Sequence, residues 1–397
     1  MLDLPIINNN NNFLNINKIA TEKVVPPNNT TPINQAIKKE LPTKDSKDIS
    51  KLGKSLTNIE IPNDNLDFWE KAKELFKKLD INNNGFISRN ELIKKTNDIS
   101  IKGEDSATLA FMLNNFDKLK NVSNDKNNNK GITLEDLNKI KDLSEETKNG
   151  INLDFKDLKE KLKNNEHIKN EKGEFRLPEK ASDINYKDIK QGNVGDCYFL
   201  AALTSLAKVN PQKIKDMIKD NGDGTYNVKF NNTSIKVNKP TDSELALYST
   251  GSSWVPIIEK AYAVYRKAKQ VEKNTNAYDA TTSGDLHHGV KPFTSGSYET
   301  NNLSKTKENE TRQKLIEAIK NNRIVTAGIN DKNKYNLQHQ HAYAVLDFDP
   351  KTNLVSIKNP WGNNANSKLH KENDAGIFQL PLNEFHKIFK EICYEKP

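Results

Sequence analysis

Two cysteines stand in the chain, Cys197 and Cys393, and one is set up for chemistry. Cys197 lies in Gln191-Gly192-Asn193-Val194-Gly195-Asp196-Cys197-Tyr198-Phe199-Leu200-Ala201-Ala202-Leu203, where a glycine-containing loop meets an apolar run. The run predicts a helix with Cys197 at its start. A helix N-terminus carries partial positive charge, which favours thiolate. Gln191 can bring amide donors to the same point, and with the Cys197 backbone N–H they would form an oxyanion hole. A cysteine nucleophile needs a base, and the base needs an orienting group. Gln340-His341-Ala342-Tyr343-Ala344-Val345 puts a histidine at the start of an apolar strand, and Asn359-Pro360-Trp361-Gly362 ends the next one. His341 follows Cys197 by 144 residues and Asn359 follows it by 162. His339 is a rival base, but it lies outside the apolar strand pattern. His287 and His288 form a pair with no cysteine or carboxylate at metal spacing and read as surface or cleft residues. Cys393, between Ile392 and Tyr394, reads as packing, and Trp69 and Trp254 read as core.

A second group of residues suits a hard cation. Calcium takes six to eight oxygen ligands, and a twelve-residue loop can wrap them around one ion. In the segment from Asp80 to Glu91, Asp80, Asn82 and Asn84 supply side-chain oxygens at positions 1, 3 and 5. Gly85 permits the sharp turn, Phe86 offers its carbonyl, and Ser88 takes position 9. Glu91 closes the loop and can bind through both oxygens. Ile87 would sit in a short pairing between two such loops. The pattern is that of an EF-hand. Only two of its ligands are formally charged, which argues for weak affinity. A second loop begins at Asp125, with Asn127 and Asn129 at positions 3 and 5, Ile132 at 8 and Asp136 at 12. Lys130 occupies the glycine position, Gly131 comes one residue late, and Asp136 is shorter than glutamate. This loop reads equally as a binding site or as a degenerate partner that completes the four-helix unit.

These residues need elements to hold them. At about 100–200 residues per domain, 397 residues suggest two or three domains. Hydrophobic residues make up 34%, low enough that part of the chain builds no core. Residues 1–60, with the Asn8–Asn12 run and no sustained apolar period, read as a disordered Asn/Lys-rich tail. Helical spacing begins at Leu66. Further helices are expected from Glu91, over Ala107–Leu119 and over Leu134–Leu143, which makes an all-α EF-hand pair over 61–145. Residues 146–174, rich in Lys and Glu, read as a helical linker packed weakly on either side. Tyr226–Val237 alternates as a strand pair, with Asn221-Gly222 and Asp223-Gly224 as turn signals. Val255–Tyr265 reads as a buried helix. Strands are expected over Ile324–Ile329, Ala342–Phe348, Leu354–Lys358 and Gly376–Leu380, then a helix over Leu382–Phe389.

Net charge is +8, but it is spread: +2 over residues 1–60, zero over 61–170 and +6 over 171–397. A Lys-rich solvated surface follows, with no nucleic-acid patch. Two cysteines make neither a disulfide framework nor a zinc site. No stretch nears the ~20 apolar residues of a membrane span. Met1–Pro5 lacks the basic and apolar regions of a standard signal peptide. Compartment is left open between cytoplasm and export by another route, and oligomeric state is left open.

Over about residues 175–397 the chain resembles the calpain family of papain-fold cysteine proteases. The motifs that carry the resemblance are QGNVGDCYFLAALTSLA, WVPIIEKAYA at Trp254–Ala263, TSG at Thr294–Gly296, HAYAV, KNPWG and the ending GIFQLPLNEFHKIF, in the family's order. The Cys–His spacing also lies in the ~130–150 range of papain-like enzymes, and the Cys–Asn spacing slightly exceeds it. The resemblance implies an α+β, two-lobed protease core, an α-rich lobe with Cys197 facing a β-rich lobe with His341 and Asn359. It implies Cys197 as nucleophile, His341 as general base and acid, Asn359 as orienter and Gln191 as oxyanion donor. Trp361 would shield the His–Asn hydrogen bond. Asp188 and Asp279 resemble acidic ligands of the family's own core calcium site. Tyr198 stands where the family usually has Trp, and Asn363–Asp374 is polar where a Trp-rich stretch often follows. The family's regulatory β-sandwich and C-terminal hands do not occur in this sequence, and here the hands precede the protease.

The function expected is a calcium-dependent cysteine endopeptidase with a Cys-His-Asn triad, a thioester intermediate, Ca2+ as cofactor and a protein or peptide substrate. Two rivals remain. One is an acyl transferase on the same chemistry, separable by product analysis with an added amine. The other is a calcium-binding interaction module with an inactive protease domain, in which Cys197→Ala would change nothing.

Overall fold

A computed structural model of the protein describes residues 68–123, 130–164, 175–269, 277–371 and 374–397. The expected tail over 1–60 lies outside the described residues. The first helix, α1 (Phe68–Leu79), buries Phe68, Trp69, Ala72, Leu75, Phe76 and Leu79, an apolar stripe at spacings of three and four. Strand β1 (Phe86–Ile87) leads into α2 (Arg89–Thr96). Ser88 and Glu91 cap α2 reciprocally, side chain to backbone in both directions. The helix expected over Ala107–Leu119 is two pieces, α3 (Gly103–Asn114) and α4 (Phe116–Leu119). The break is local chemistry: Asn115 turns its Nδ2 back onto the Phe111 carbonyl at 3.1 Å. Strand β2 (Ile132–Thr133) and α5 (Leu134–Lys139) follow, the latter with a Thr133–Asp136 capping box. Strands β1 and β2 pair antiparallel, with Ile87 opposite Ile132.

The segment expected to be a weakly packed linker is instead a structural helix. Its described part, α6 (Glu145–Asn164), buries Ile151, Phe155, Leu158 and Leu162. The Lys and Glu residues line the opposite face, so composition masked the stripe. Phe155 closes an aromatic trio with Phe68 and Phe111, at centroid distances of 5.6 and 6.2 Å.

The helix that opens with Cys197 is α7 (Cys197–Val209). Strands β3 (Ile218–Asp220), β4 (Thr225–Phe230) and β5 (Thr233–Asn238) form a small antiparallel sheet. The glycine turn at 221–224 joins β3 to β4, whereas β4 and β5 are joined at Asn231, which takes φ 48°. Helices α8 (Asp242–Leu247) and α9 (Trp254–Lys269) complete the helical half. After β6 (Tyr298–Asn302) and α10 (Glu308–Lys320) come β7 (Val325–Ile329), β8 (His341–Asp349), β9 (Leu354–Lys358), β10 (Ile377–Pro381), α11 (Leu382–Ile388) and β11 (Glu391–Glu395). The strands make a six-stranded antiparallel sheet in the order β10-β9-β8-β7-β11-β6.

Strand β8 is buried on both faces and shows why a continuous apolar run was needed there. Ala342, Ala344 and Leu346 join the core shared with α7, while Tyr343 and Val345 join a second core under α10 and α11. The small alanines let α7 approach the sheet closely. The first core does not stop at the protease-like half. It runs without a break from Phe68 through α3 and α6 to α7 and α9. Among the described residues, no helix is long and apolar enough to cross a membrane.

Candidate active site

Cys197 is the first residue of α7, and Asp196 caps that helix with its backbone carbonyl, which accepts from Phe199 at 2.9 Å and Leu200 at 3.1 Å. The loop before it is clamped from three directions. The Gln191 N–H donates to the Pro360 carbonyl at 2.8 Å, the Asn193 N–H to Leu247 at 2.7 Å, and the Gly195 carbonyl accepts from Ser283 at 2.9 Å. Gly192 must be glycine, since a Cβ there would lie 2.2 Å from the Tyr248 carbonyl oxygen.

His341 starts β8 and Asn359 directly follows β9, so antiparallel pairing brings both to one end of the sheet. His341 Nε2 lies 2.9 Å from Asn359 Oδ1. An amide oxygen accepts, so Nε2 carries the proton and Nδ1 is left as the basic nitrogen. Asn359 is itself fixed: its Oδ1 accepts from the Trp361 N–H at 3.0 Å and its N–H donates to Gly376 at 2.9 Å. The Trp361 ring covers the imidazole at a centroid distance of 4.9 Å. Gln340, just before His341, has φ 50°, a left-handed backbone for a residue with a side chain. The two halves are tied together here by the Gln191 N–H to Pro360 bond and by Lys358, whose Nζ donates to the Ile189 carbonyl at 2.7 Å.

Burial governs the electrostatics. Cys197 remains partly exposed, yet the protein around it pushes the thiol up to about 11, against the Ala342 N–H. Burial also holds His341 down at about 4, against its bond to Asn359. The pair rests as neutral thiol and neutral imidazole. Burial thus opposes the thiolate that the helix N-terminus favours. Beneath the cysteine lies a device the sequence reading missed. Asp196 and Glu259 are buried and face each other, and neither Asp196 Oδ2 nor Glu259 Oε1 has a donor from other groups. Burial holds both Asp196 and Glu259 above the usual carboxylate range, and the neighbouring Glu259 carboxyl raises Asp196 further. The Ser249 N–H fixes Glu259 at 2.8 Å. Lys161 of α6 approaches the same pair, with Nζ 2.9 Å from each of the Ala246 and Tyr248 carbonyls. The preceding-residue carboxyl was visible in the sequence, but its partner 63 positions away was not.

Gln191 is beside the nucleophile, with its Nε2 donating to the Val194 carbonyl at 2.7 Å. In the first oxygen-rich loop, Asp80 accepts from the Asn84 and Gly85 N–H groups at 3.1 and 3.0 Å, and Asn82 Oδ1 accepts from Asn84 at 3.0 Å. Gly85 takes φ 89°. Glu91 reaches back across the loop, accepting from Ile81 at 2.9 Å and Ser88 at 2.8 Å. The oxygen-bearing side chains of Asp80, Asn82 and Glu91 thus fold back over their own loop, held by backbone N–H groups. In the second loop Asp125, Asn127 and Asn129 lie outside the described residues. Asp136 is buried and accepts from Ser123 and Thr133. Asp188 accepts from Ser252 Oγ at 2.6 Å, and the Asp279 side chain lies outside the described residues. Against expectation, the His287–His288 pair does have a carboxylate at hand: Asp285 lies 3.9 Å from each Nδ1. The turn into the short helix Leu286–Val290 brings it there.

The profile for the calpain family cysteine proteases matches residues 166–374, more than half of the chain. The chain belongs to the calpain family. Its similarity to individual relatives is modest: 27% identity to human Calpain-14 over 53% of this chain and 36% of that protein. It is 26% identical to mouse Calpain-8 over 53% of this chain and 36% of the relative. To the Arabidopsis thaliana calpain-type cysteine protease DEK1 it is 26% identical over 46% of this chain and 9% of the relative. The chain therefore spans about a third or less of the length of these curated relatives.

Proposed function

We propose that the chain is a calcium-dependent cysteine endopeptidase. The observation that carries this reading is the His341–Asn359 pair at 2.9 Å, at the start of the strand that packs against the helix opened by Cys197. In the proposed reaction His341 Nδ1 takes the Cys197 proton and the sulfur attacks a peptide carbonyl. The Cys197 N–H and, after turning from Val194, the Gln191 amide donate to the oxyanion. The C–N bond breaks as His341 returns the proton to the leaving amine. His341 then takes a proton from water, which hydrolyses the thioester. Protein or peptide substrates follow from the chemistry.

The paired loops are proposed as EF-hands that precede a two-lobed protease unit, with the boundary near residue 175. Asp80, Asn82, Asn84, the Phe86 carbonyl, Ser88 and Glu91 would hold one calcium ion. Asp125, Asn127, Asn129 and Asp136 are the proposed second set. When bound, the ion supplies positive charge that neutralises and orders the loop. The route from there to the cleft runs through α3 and α6, which share the core of α7. Labelling by a thiol-reactive epoxide peptide, titrated with calcium, tests the reading against Cys197→Ala. Labelling that needs Cys197 and rises with calcium supports it. Equal labelling under chelation removes calcium control, and none at any calcium level refutes the protease.

A further inference from the structure

Beside the catalytic groups the surface opens into a cleft of about 350 Å³. Gln191 and Trp361 line it on the protease side. The rest of the lining is unexpected: Asn114 at the end of α3, and Asp154, Asp157 and Lys161 of α6. Trp361 covers His341, so this cleft adjoins the reacting atoms. A peptide with its scissile carbonyl at Cys197 and its chain laid along this cleft advances about 3.3 Å per residue, so two or three residues carry a side chain about 7–10 Å along it.

The charge of that wall is readable. Asp154 and Asp157 are one helical turn apart and share a face. Lys161 does not cancel them, because its ammonium is turned to the floor, onto the Ala246 and Tyr248 carbonyls. Lys118 acts on Asp154 from α4, yet burial and Asp157 still hold the Asp154 carboxyl above its ordinary value. At the far end, the Lys190 stem packs on Gly362.

We propose that α6 of the N-terminal helical unit forms one wall of the substrate cleft, and that Asp154 and Asp157 select a Lys or Arg side chain two or three residues from the scissile bond. This rests on the protease reading for its substrate class, and the test separates the two. Binding of fluorescent peptides to full-length Cys197→Ala is measured, with Lys or Glu scanned through each position on both sides of one central bond. At a single position Lys should bind about tenfold tighter than Glu, the scale of one charge-assisted contact. Asp154→Asn with Asp157→Asn should bring the two within about twofold, and Asp157→Lys, a change at an exposed site, should favour Glu. Equal binding of Lys and Glu peptides, a preference that survives these changes, or no binding of any peptide would each overturn the subsite. Wild-type turnover is scored separately: binding without any cleavage would refute the protease and leave the subsite standing.

Discussion

Asn359 holds the His341 ring through a single oxygen, 2.9 Å from Nε2. Asn359→Ala should free the ring and lower kcat by about 10²-fold or more, the usual scale for a misplaced general base. The Km for peptide should change little, since Asn359 is buried behind Trp361. A fall in kcat/Km carried by Km alone would contradict that role. The pH behaviour follows from the same site. With the thiol raised to about 11, the thiolate fraction is small at neutral pH and grows as pH rises. Iodoacetamide labelling of calcium-free protein, read at Cys197 by peptide mass, should therefore climb steadily from pH 7 to 10. A plateau below pH 8 would mean that the thiol is already ionised at rest. Cys393 serves as the internal control, as burial also lifts it to about 11.

At the scale of elements, α6 and the loop pair make opposite demands. Phe155 is buried edge-on against both Phe68 and Phe111, so Phe155→Ala should cost about 3–5 kcal/mol by urea unfolding. A loss under about 0.5 kcal/mol would restore the weakly packed linker. Gly131 faces the other strand of the loop pair, where a Cβ would stand 2.4 Å from the Ile87 carbonyl oxygen. Gly131→Ala should lower stability by about 1–3 kcal/mol, seen as a reduced melting temperature. The glycine that looked one residue late is thus required for a different reason than the turn at Gly85. Much of this level was legible in the sequence, because β8, β9, α1 and α9 carry strong apolar periods. What escaped either lacked such a period or, as in α6, carried it among many Lys and Glu residues. β6 is an edge strand of Tyr-Glu-Thr-Asn-Asn, and its pairing with β11 exists only in the assembled sheet. The positions of Cys197, His341 and Asn359 were legible because each opens or closes an apolar element. Glu259 and Lys161 were not, since each acquires its role only by long-range packing.

For the whole molecule, the unbroken core from α1 to α9 joins the helical unit to the nucleophile helix. A domain pair joined by a free linker would melt in two steps. This chain should melt in one calorimetric transition for residues 68–397, and calcium should raise its midpoint as a whole. Two transitions, of which only the first responds to calcium, would contradict that coupling.

The burial of α3 has a consequence for synthesis. Ser106 through Leu113 are buried all round, and part of that cover comes from α8. Lys161 likewise finds its acceptor at Ala246, 85 residues further along the chain. At about 5–20 residues per second, a ribosome leaves Lys161 without its acceptor for roughly 4–17 seconds, and α3 without its cover for longer. During that interval the nascent helical unit presents an uncovered apolar face, and chaperone capture at that chain length would protect it until α8 emerges.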